Sequence, residues 1–178
     1  MRAVVQRVLS ASVEVEGRVV SAIGPGILVL VGVHEADTDS DADYICRKVL
    51  NMRPFPNEKT GKAWDQSVMQ RSFEVLLVSQ FTLYGILKGN KPDFHVAMTP
   101  AKAKPFYASL VEKFQRSYSA DSVKGFFGKR WPSDNASRLT LTARRCSVKI
   151  YVNRLRYLSL AVTSNIVFIQ MRGTGSPD

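Results

Sequence analysis

Two apolar runs constrain this chain more than any other feature: Ile27 to Val33, and Val75 to Val78 opened by Glu74. A strand covered on both faces reads as a continuous Val, Leu and Ile run instead of an alternation, so each run predicts a central strand of a buried sheet. Such a sheet needs a layer on either side. At 178 residues and 45% hydrophobic content, the chain can supply those layers within one domain, without disulfides or metal. The second run predicts a strand from Glu74 to Leu83 that turns abruptly polar at Ser79, Gln80 and Thr82. Hydroxyls and an amide at the end of a rigid strand are held in fixed positions, which suits the polarisation of a carbonyl or an ester. In the plainer reading they only cap the strand.

The elements around these runs follow from pattern. Arg2 to Val8 and Ser12 to Glu16 read as strands, and Glu16-Gly17-Arg18 turns the chain back into Val19 to Ile23 as a hairpin. Gly24-Pro25-Gly26 then breaks the pattern. Asp37 to Ser40 offers N-cap candidates and negative charge at the start of a helix, whose inward face is Ala42, Ile45, Cys46, Val49 and Leu50. Met52 to Phe55 suggests a short strand. Thr99-Pro100 predicts an N-cap followed by proline at the first helical position, and Ala103, Phe106, Tyr107, Leu110, Val111 and Phe114 mark one face of that second helix. The sum is an α+β single domain, mainly antiparallel sheet with two principal helices, with no repeated βαβ unit expected.

Charge is distributed unevenly. The net charge of +10 would ordinarily suggest a nucleic-acid surface. Residues 1 to 123, however, carry 15 basic against 13 acidic residues, whereas residues 124 to 178 carry 10 against 2. The basicity therefore belongs mostly to the tail. Cys46 and Cys146 lack the paired spacing of a zinc or redox site, and a reducing intracellular setting fits. Met1 to Val8 alternates like a strand, which argues against a secretory signal. Tyr157 to Met171 is interrupted by Ser159, Thr163, Ser164 and Asn165 and falls short of a membrane span.

The segments SQFTLYG and LKGNKPDF, together with MRAVVQRV, ASVEVEG, IGPGILVLVGV, DADYICRKVLNMRPF and GKAWDQSVM in that chain order, resemble the D-aminoacyl-tRNA deacylases. The resemblance is nearly continuous from Met1 to about Val123. It implies hydrolysis of the ester linking a D-amino acid or glycine to the tRNA 3' end, by a cytoplasmic homodimer acting on aminoacyl-tRNA without metal or cofactor. Ser79, Gln80, Phe81 and Thr82 match the family's S-Q-x-T motif, which lines the pocket for the aminoacylated terminus. Backbone amides near Phe81 and Thr82 would stabilise the oxyanion, with Thr82 as a hydrogen-bonding or nucleophilic residue and the ribose 2'-hydroxyl assisting. Lys88, Asn90, Lys91 and Phe94 would hold the tRNA end through phosphate contact and base stacking, although lysines in a loop are more often only solvated charge. Arg7 matches a position that supports the family's site, and Phe127 lies in a G-x-F-G match at Gly125 to Gly128. A covalent serine hydrolase using His34 or His95 is a second enzymatic reading, but no G-x-S-x-G elbow surrounds Ser79.

The resemblance stops after Gly128. The family's late N-x-G-P-x-T segment, whose Gly-Pro enters the partner subunit's site and excludes L-side chains, has no counterpart. The only Gly-Pro is Gly24-Pro25. Residues 1 to 128 are thus expected to form a deacylase-like domain and 129 to 178 a divergent basic tail. Two origins of that tail stand open: an altered exon or reading frame near Lys124, or an RNA-binding extension using Arg138, Arg144, Arg145, Lys149, Arg154 and Arg156. Loss of the last family strands would leave neighbouring strand edges bare. From a different functional class, the competing reading is a catalytically impaired RNA-binding or regulatory variant.

Overall fold

The computed structural model describes residues 1–128 throughout and, beyond them, the backbone of strands at 139–144, 148–151 and 166–170. The elements are β1 (Arg2–Val8), β2 (Ser10–Val15), β3 (Arg18–Ile23), β4 (Gly26–Gly32), α1 (Asp39–Asn51), β5 (Glu74–Ser79), a 3-10 turn (Phe81–Tyr84), β6 (Ile86–Lys88), β7 (Lys91–Asp93), α2 (Pro100–Ser117), β8 (Val123–Phe126), β9 (Leu139–Arg144), β10 (Val148–Tyr151) and β11 (Ile166–Gln170). One mixed sheet has the order β11-β1-β4-β5-β8, a second the order β10-β9-β2-β3, and β6 pairs with β7 as a separate hairpin.

The two apolar runs become the adjacent central strands β4 and β5, and every residue of β4 is buried. Successive side chains along them point to opposite faces, which splits the core in two. Ile27, Val29, Val31, Val75 and Leu77 pack beneath the helices against Ala42, Ile45, Val49, Leu110 and Phe114. Leu28, Leu30, Leu76 and Val78 face the second sheet and meet Ala11, Val13 and Ile23. Burying a side chain of this size contributes about 1.5–3 kcal/mol, so both faces of β4 and β5 hold the layers together. Thr38 is the N-cap of α1, its amide donating to Asp41 Oδ2 at 2.8 Å. Cys46 lies inward on α1, 4% exposed, and burial pushes its thiol pKa up, so it behaves as a small apolar residue. At α2, Thr99 is the N-cap and Pro100 opens the helix.

Three sequence expectations differ from the structure. β4, β5 and β8 run parallel, with α1 and α2 in the connections, so two consecutive βαβ units exist where none was expected. Parallel neighbours require a long crossover, and the two amphipathic helices provide it. The remaining pairings, β1 with β4 and β11, β2 with β3 and β9, β9 with β10, and β6 with β7, are antiparallel. The Met52 to Phe55 segment forms no strand, contributing only a bridge between Phe55 and Gln66. The strand expected to reach Leu83 stops at Ser79.

Bare edges are not found beside β1 and β2. β9 pairs along β2 from Ser10 to Val15, and β11 pairs along β1 from Arg2 to Gln6. The sequences LTLTAR and IVFIQ contain the β-branched and aliphatic residues that suit strands. Cys146, Arg138, Arg145, Arg154 and Arg156 lie outside the described residues, as do the side chains of Arg144 and Lys149. Among the described residues no helix is long and apolar enough to cross a membrane.

Candidate active site

The site is built by the way β5 ends. Gln80 N donates to Val31 O at 2.7 Å, the last rung between β5 and β4. Gln80 then leaves the strand at φ −144°, ψ 85°, and the chain tightens into the 3-10 turn. Leu83 N donates to Gln80 O at 3.3 Å, and Gly85 N to Thr82 O at 3.0 Å. The turn can lie against the end of β4 because Gly32 has no side chain. A Cβ there would stand 2.9 Å from Leu83 Cβ and 3.2 Å from both Gln80 O and Tyr84 Cδ2. Gly85 permits a second close approach, since a Cβ there would be 2.9 Å from Phe94 Cε1.

Five of the expected site residues stand in or beside this corner. Gln80 is 9% exposed, and its Nε2 donates to Thr82 Oγ1, which satisfies a buried amide and fixes the hydroxyl's position. Ser79 Oγ accepts the Gly128 N–H at 3.0 Å, tying the end of β5 to the segment leaving β8. Phe81 is 42% exposed, with its ring edge-to-face on Phe94 at a centroid distance of 5.2 Å. Phe94 therefore joins Ser79, Gln80, Phe81 and Thr82 in one neighbourhood.

Lys88, Asn90 and Lys91 stand on the hairpin that leads into Phe94. Lys88 pairs with Lys91 across β6 and β7, and Gly89, at φ 60°, makes the turn between them. All three polar side chains are exposed. Lys88 forms an ion pair with Asp93, whose carboxylate also accepts the His95 N–H at 3.0 Å and faces His95 Nδ1 at 2.9 Å. The Lys88 hydrogen bond foremost, with the His95 contacts behind it, brings the Asp93 pKa down to about 2. Asp93 thereby clamps the hairpin immediately beside the Phe81–Phe94 pair.

The structure places the other two expected residues elsewhere. Arg7 lies opposite Ile27, whereas Ser79 lies opposite Val31, about 13 Å farther along β4 at ~3.3 Å per residue. Its Nη1 donates to Pro54 O at 3.0 Å, so within one chain Arg7 is not gathered with the Ser79 corner. The Phe127 ring packs on Tyr107 at a centroid distance of 5.4 Å and against the core. Its backbone neighbour Gly128, instead of its ring, reaches Ser79. Gly24-Pro25 precedes β4, at the end of the sheet remote from Ser79. Sequence reasoning missed Gly32, Asp93 and Gly128; the one local signal was an aspartate set between Lys91 and His95.

Among the described residues the structure pairs neither histidine with Ser79. His34 Nδ1 accepts the Ala36 N–H at 3.0 Å, and His95 Nδ1 faces Asp93. The corner therefore offers an amide, hydroxyls and backbone groups in fixed positions, with no imidazole beside the serine. Such a set orients an activated ester and stabilises developing negative charge; it does not generate a strong nucleophile.

The chain is similar to several known proteins. The family described as D-Tyr-tRNA(Tyr) deacylase matches residues 4–133. A D-aminoacyl-tRNA deacylase of Dictyostelium discoideum is 49% identical over 129 residues, covering 72% of this chain and 85% of that protein. D-aminoacyl-tRNA deacylase 1 of Bos taurus is 51% identical over 129 residues, covering 72% of this chain but 61% of its own length. Among solved structures, the c-Myc DNA Unwinding Element Binding Protein superposes with a TM-score of 0.78 at 37% identity, covering 97% of this chain and 100% of that one. A probable eukaryotic D-amino acid tRNA deacylase gives a TM-score of 0.61 at 16% identity over 80% of this chain and 94% of that one, a likeness of fold alone. With more than half of its length matched and relatives near one-half identity, the chain belongs to the D-Tyr-tRNA(Tyr) deacylase family.

Proposed function

We propose that this chain hydrolyses the ester joining a D-amino acid, or glycine, to the 3' end of tRNA, returning mischarged tRNA to use. The observation that carries the reading is the corner at the end of β5, where Ser79, Gln80, Phe81 and Thr82 gather in a chain 49% identical to a D-aminoacyl-tRNA deacylase. The competing reading as a catalytically impaired RNA-binding variant finds no support in the family or in the relatives' names.

The chemistry asked of the site is modest. An aminoacyl ester is already activated, so water can attack its carbonyl carbon once the ester is held and the oxyanion is met by hydrogen-bond donors. The carbonyl then re-forms as the 3'-oxygen leaves with a proton, and the ribose 2'-hydroxyl assists the transfer. Gln80 and Thr82 act together: the Gln80 amide holds the Thr82 hydroxyl, which hydrogen-bonds the substrate. Thr82 N–H stands at the start of the turn, where the carbonyl three residues back lies outside it, and this supports Thr82 N–H as an oxyanion donor. Phe81 and Phe94 present aromatic surface for the terminal adenine, while Asn90 and Lys91 meet backbone phosphate beyond it. The protein works on aminoacyl-tRNA in the cytoplasm as a homodimer, a reading that family membership supports.

The test is deacylation of D-Tyr-tRNA by the full chain, with light scattering on the same sample to read the assembly. Release of tyrosine well above the spontaneous rate supports the proposal. A folded chain that leaves the ester at its spontaneous rate refutes it.

A further inference from the structure

Against the turn that carries Phe81 and Thr82 lies a cation with no part in the hydrolysis proposed above. Strand register sets Arg2 of β1 opposite Gly32 at the end of β4. The missing Cβ of Gly32 lets Leu83 and Tyr84 descend to that point, where the Arg2 side chain meets them. Arg2 Nη1 donates to Leu83 O at 2.6 Å, and the guanidinium lies over the Tyr84 ring at 4.5 Å from its centroid. Tyr84 is 7% exposed, and its ring also meets the His34 ring at 5.1 Å. Burial pushes the Tyr84 phenol up to about 12, so the group beneath Arg2 is a neutral aromatic face at physiological pH. Arg2 Nε is buried without a hydrogen-bond partner among the described residues. Desolvating that N–H is costly, and the Leu83 and Tyr84 contacts are what offset it.

We propose that Arg2 is a positioning residue for the ester hydrolysis: it clamps the end of the Phe81–Tyr84 turn onto β4 and so fixes Phe81 and Thr82 relative to Ser79 and Gln80. This rests on the hydrolase reading above. Ser79 and Gln80 are held by the sheet, through Gln80 N to Val31 O. Beyond them the turn has its own bonds from Leu83 N at 3.3 Å and from Gly85 N at 3.0 Å, and a single 3-10 turn is weak in isolation. Its last carbonyls lack helical donors and carry the negative end of the peptide dipoles, which a guanidinium satisfies in both charge and hydrogen bonding. A planar cation that bonds a carbonyl and covers a ring at once defines an angle as well as a distance.

The experiment compares full-length Arg2→Met and Arg2→Lys with the parent chain, using deacylation of D-Tyr-tRNA and amide hydrogen exchange. Arg2→Met keeps the apolar stem and is expected to lower kcat roughly tenfold to a hundredfold, the size of effect an ångström of misplacement produces. KM changes little, and exchange quickens at Leu83 and Gly85 while β4 and β5 stay protected. Arg2→Lys restores one donor and recovers part of kcat. Parental kcat in a folded Arg2→Met chain overturns the proposal, as does loss of kcat in step with lost protection across β4 and β5 and no recovery in Arg2→Lys. If the parent chain itself shows no deacylation, the hydrolase reading fails separately. The exchange data still decide the clamp: unaltered Leu83 and Gly85 protection in Arg2→Met sinks it, and selective loss upholds it.

Discussion

Gln80 is buried, bonds the sheet through its amide nitrogen and holds Thr82 through its side chain. Gln80→Ala removes only the last of these, so the backbone bond to Val31 O stays. We expect kcat to fall roughly tenfold to a hundredfold, the worth of a positioned hydrogen bond whose loss strands a partner. Thermal unfolding on the same sample should show a much smaller change. Gly32→Ala acts from beneath: its Cβ would press on Leu83 Cβ and Gln80 O, both part of the packed corner. It is expected to cost about 1–3 kcal/mol in stability, the range for overpacking, and to reduce turnover; denaturant unfolding measures the first. Ser79, Gln80 and Thr82 were legible in sequence because polar residues ending an apolar run break its pattern. Gly32 and Arg2 were not, because their importance comes from a register between distant strands. Phe127 was no clearer in sequence, because an aromatic in a matched motif says nothing about whether ring or backbone faces the end of β5.

At the scale of elements, the hairpin from Ile86 to Asp93 carries the two lysines and its own clamp. Asp93 is held down to about 2, below the ordinary aspartate value near 3.9. A depressed carboxylate contributes stability above its unfolded pKa and loses it as pH falls through the folded value. The clamp should therefore hold unchanged through neutral pH and release only between about pH 4 and 2. An NMR titration of the Asp93 carboxyl carbon should have its midpoint near 2, and a midpoint near 4 would deny the ion pair with Lys88. Lys91 is exposed at the start of β7 and is not part of that ion pair. Lys91→Ala is expected to reduce the salt-dependence slope of tRNA binding by about one phosphate contact, measured by titration at several salt concentrations. Strands, helices and caps were largely readable from periodicity. The strand end at Ser79 was not, since Phe81 and Leu83 continue a plausible alternation and only the fit of the turn onto Gly32 ends it.

For the whole molecule, the layered core was legible because β4 and β5 are apolar on both faces. The parallel βαβ connections were missed because periodicity identifies helices without saying which strands they join. After Gly128 family resemblance gave no guide, yet β9 and β11 lie along β2 and β1. A chain stopped after Gly128 should therefore expose both edges and aggregate where the full chain does not; size-exclusion chromatography of the two distinguishes this, and a monodisperse, folded short chain would show that the edges need no cover. Stereochemical choice is a different matter. The sequence has one Gly-Pro, Gly24-Pro25, at the end of β4 remote from Ser79, and we propose that without the N-x-G-P-x-T segment of the family the chain shows little preference between enantiomers. The most direct measurement is single-turnover deacylation of D-Tyr-tRNA and L-Tyr-tRNA in parallel, by the full chain and its Gln80→Ala variant. The account predicts release of both amino acids well above the spontaneous rate, slowed roughly tenfold to a hundredfold in the variant. Ester left intact by a folded parent chain would contradict the hydrolase itself, and turnover confined to the D-enantiomer would contradict the missing filter.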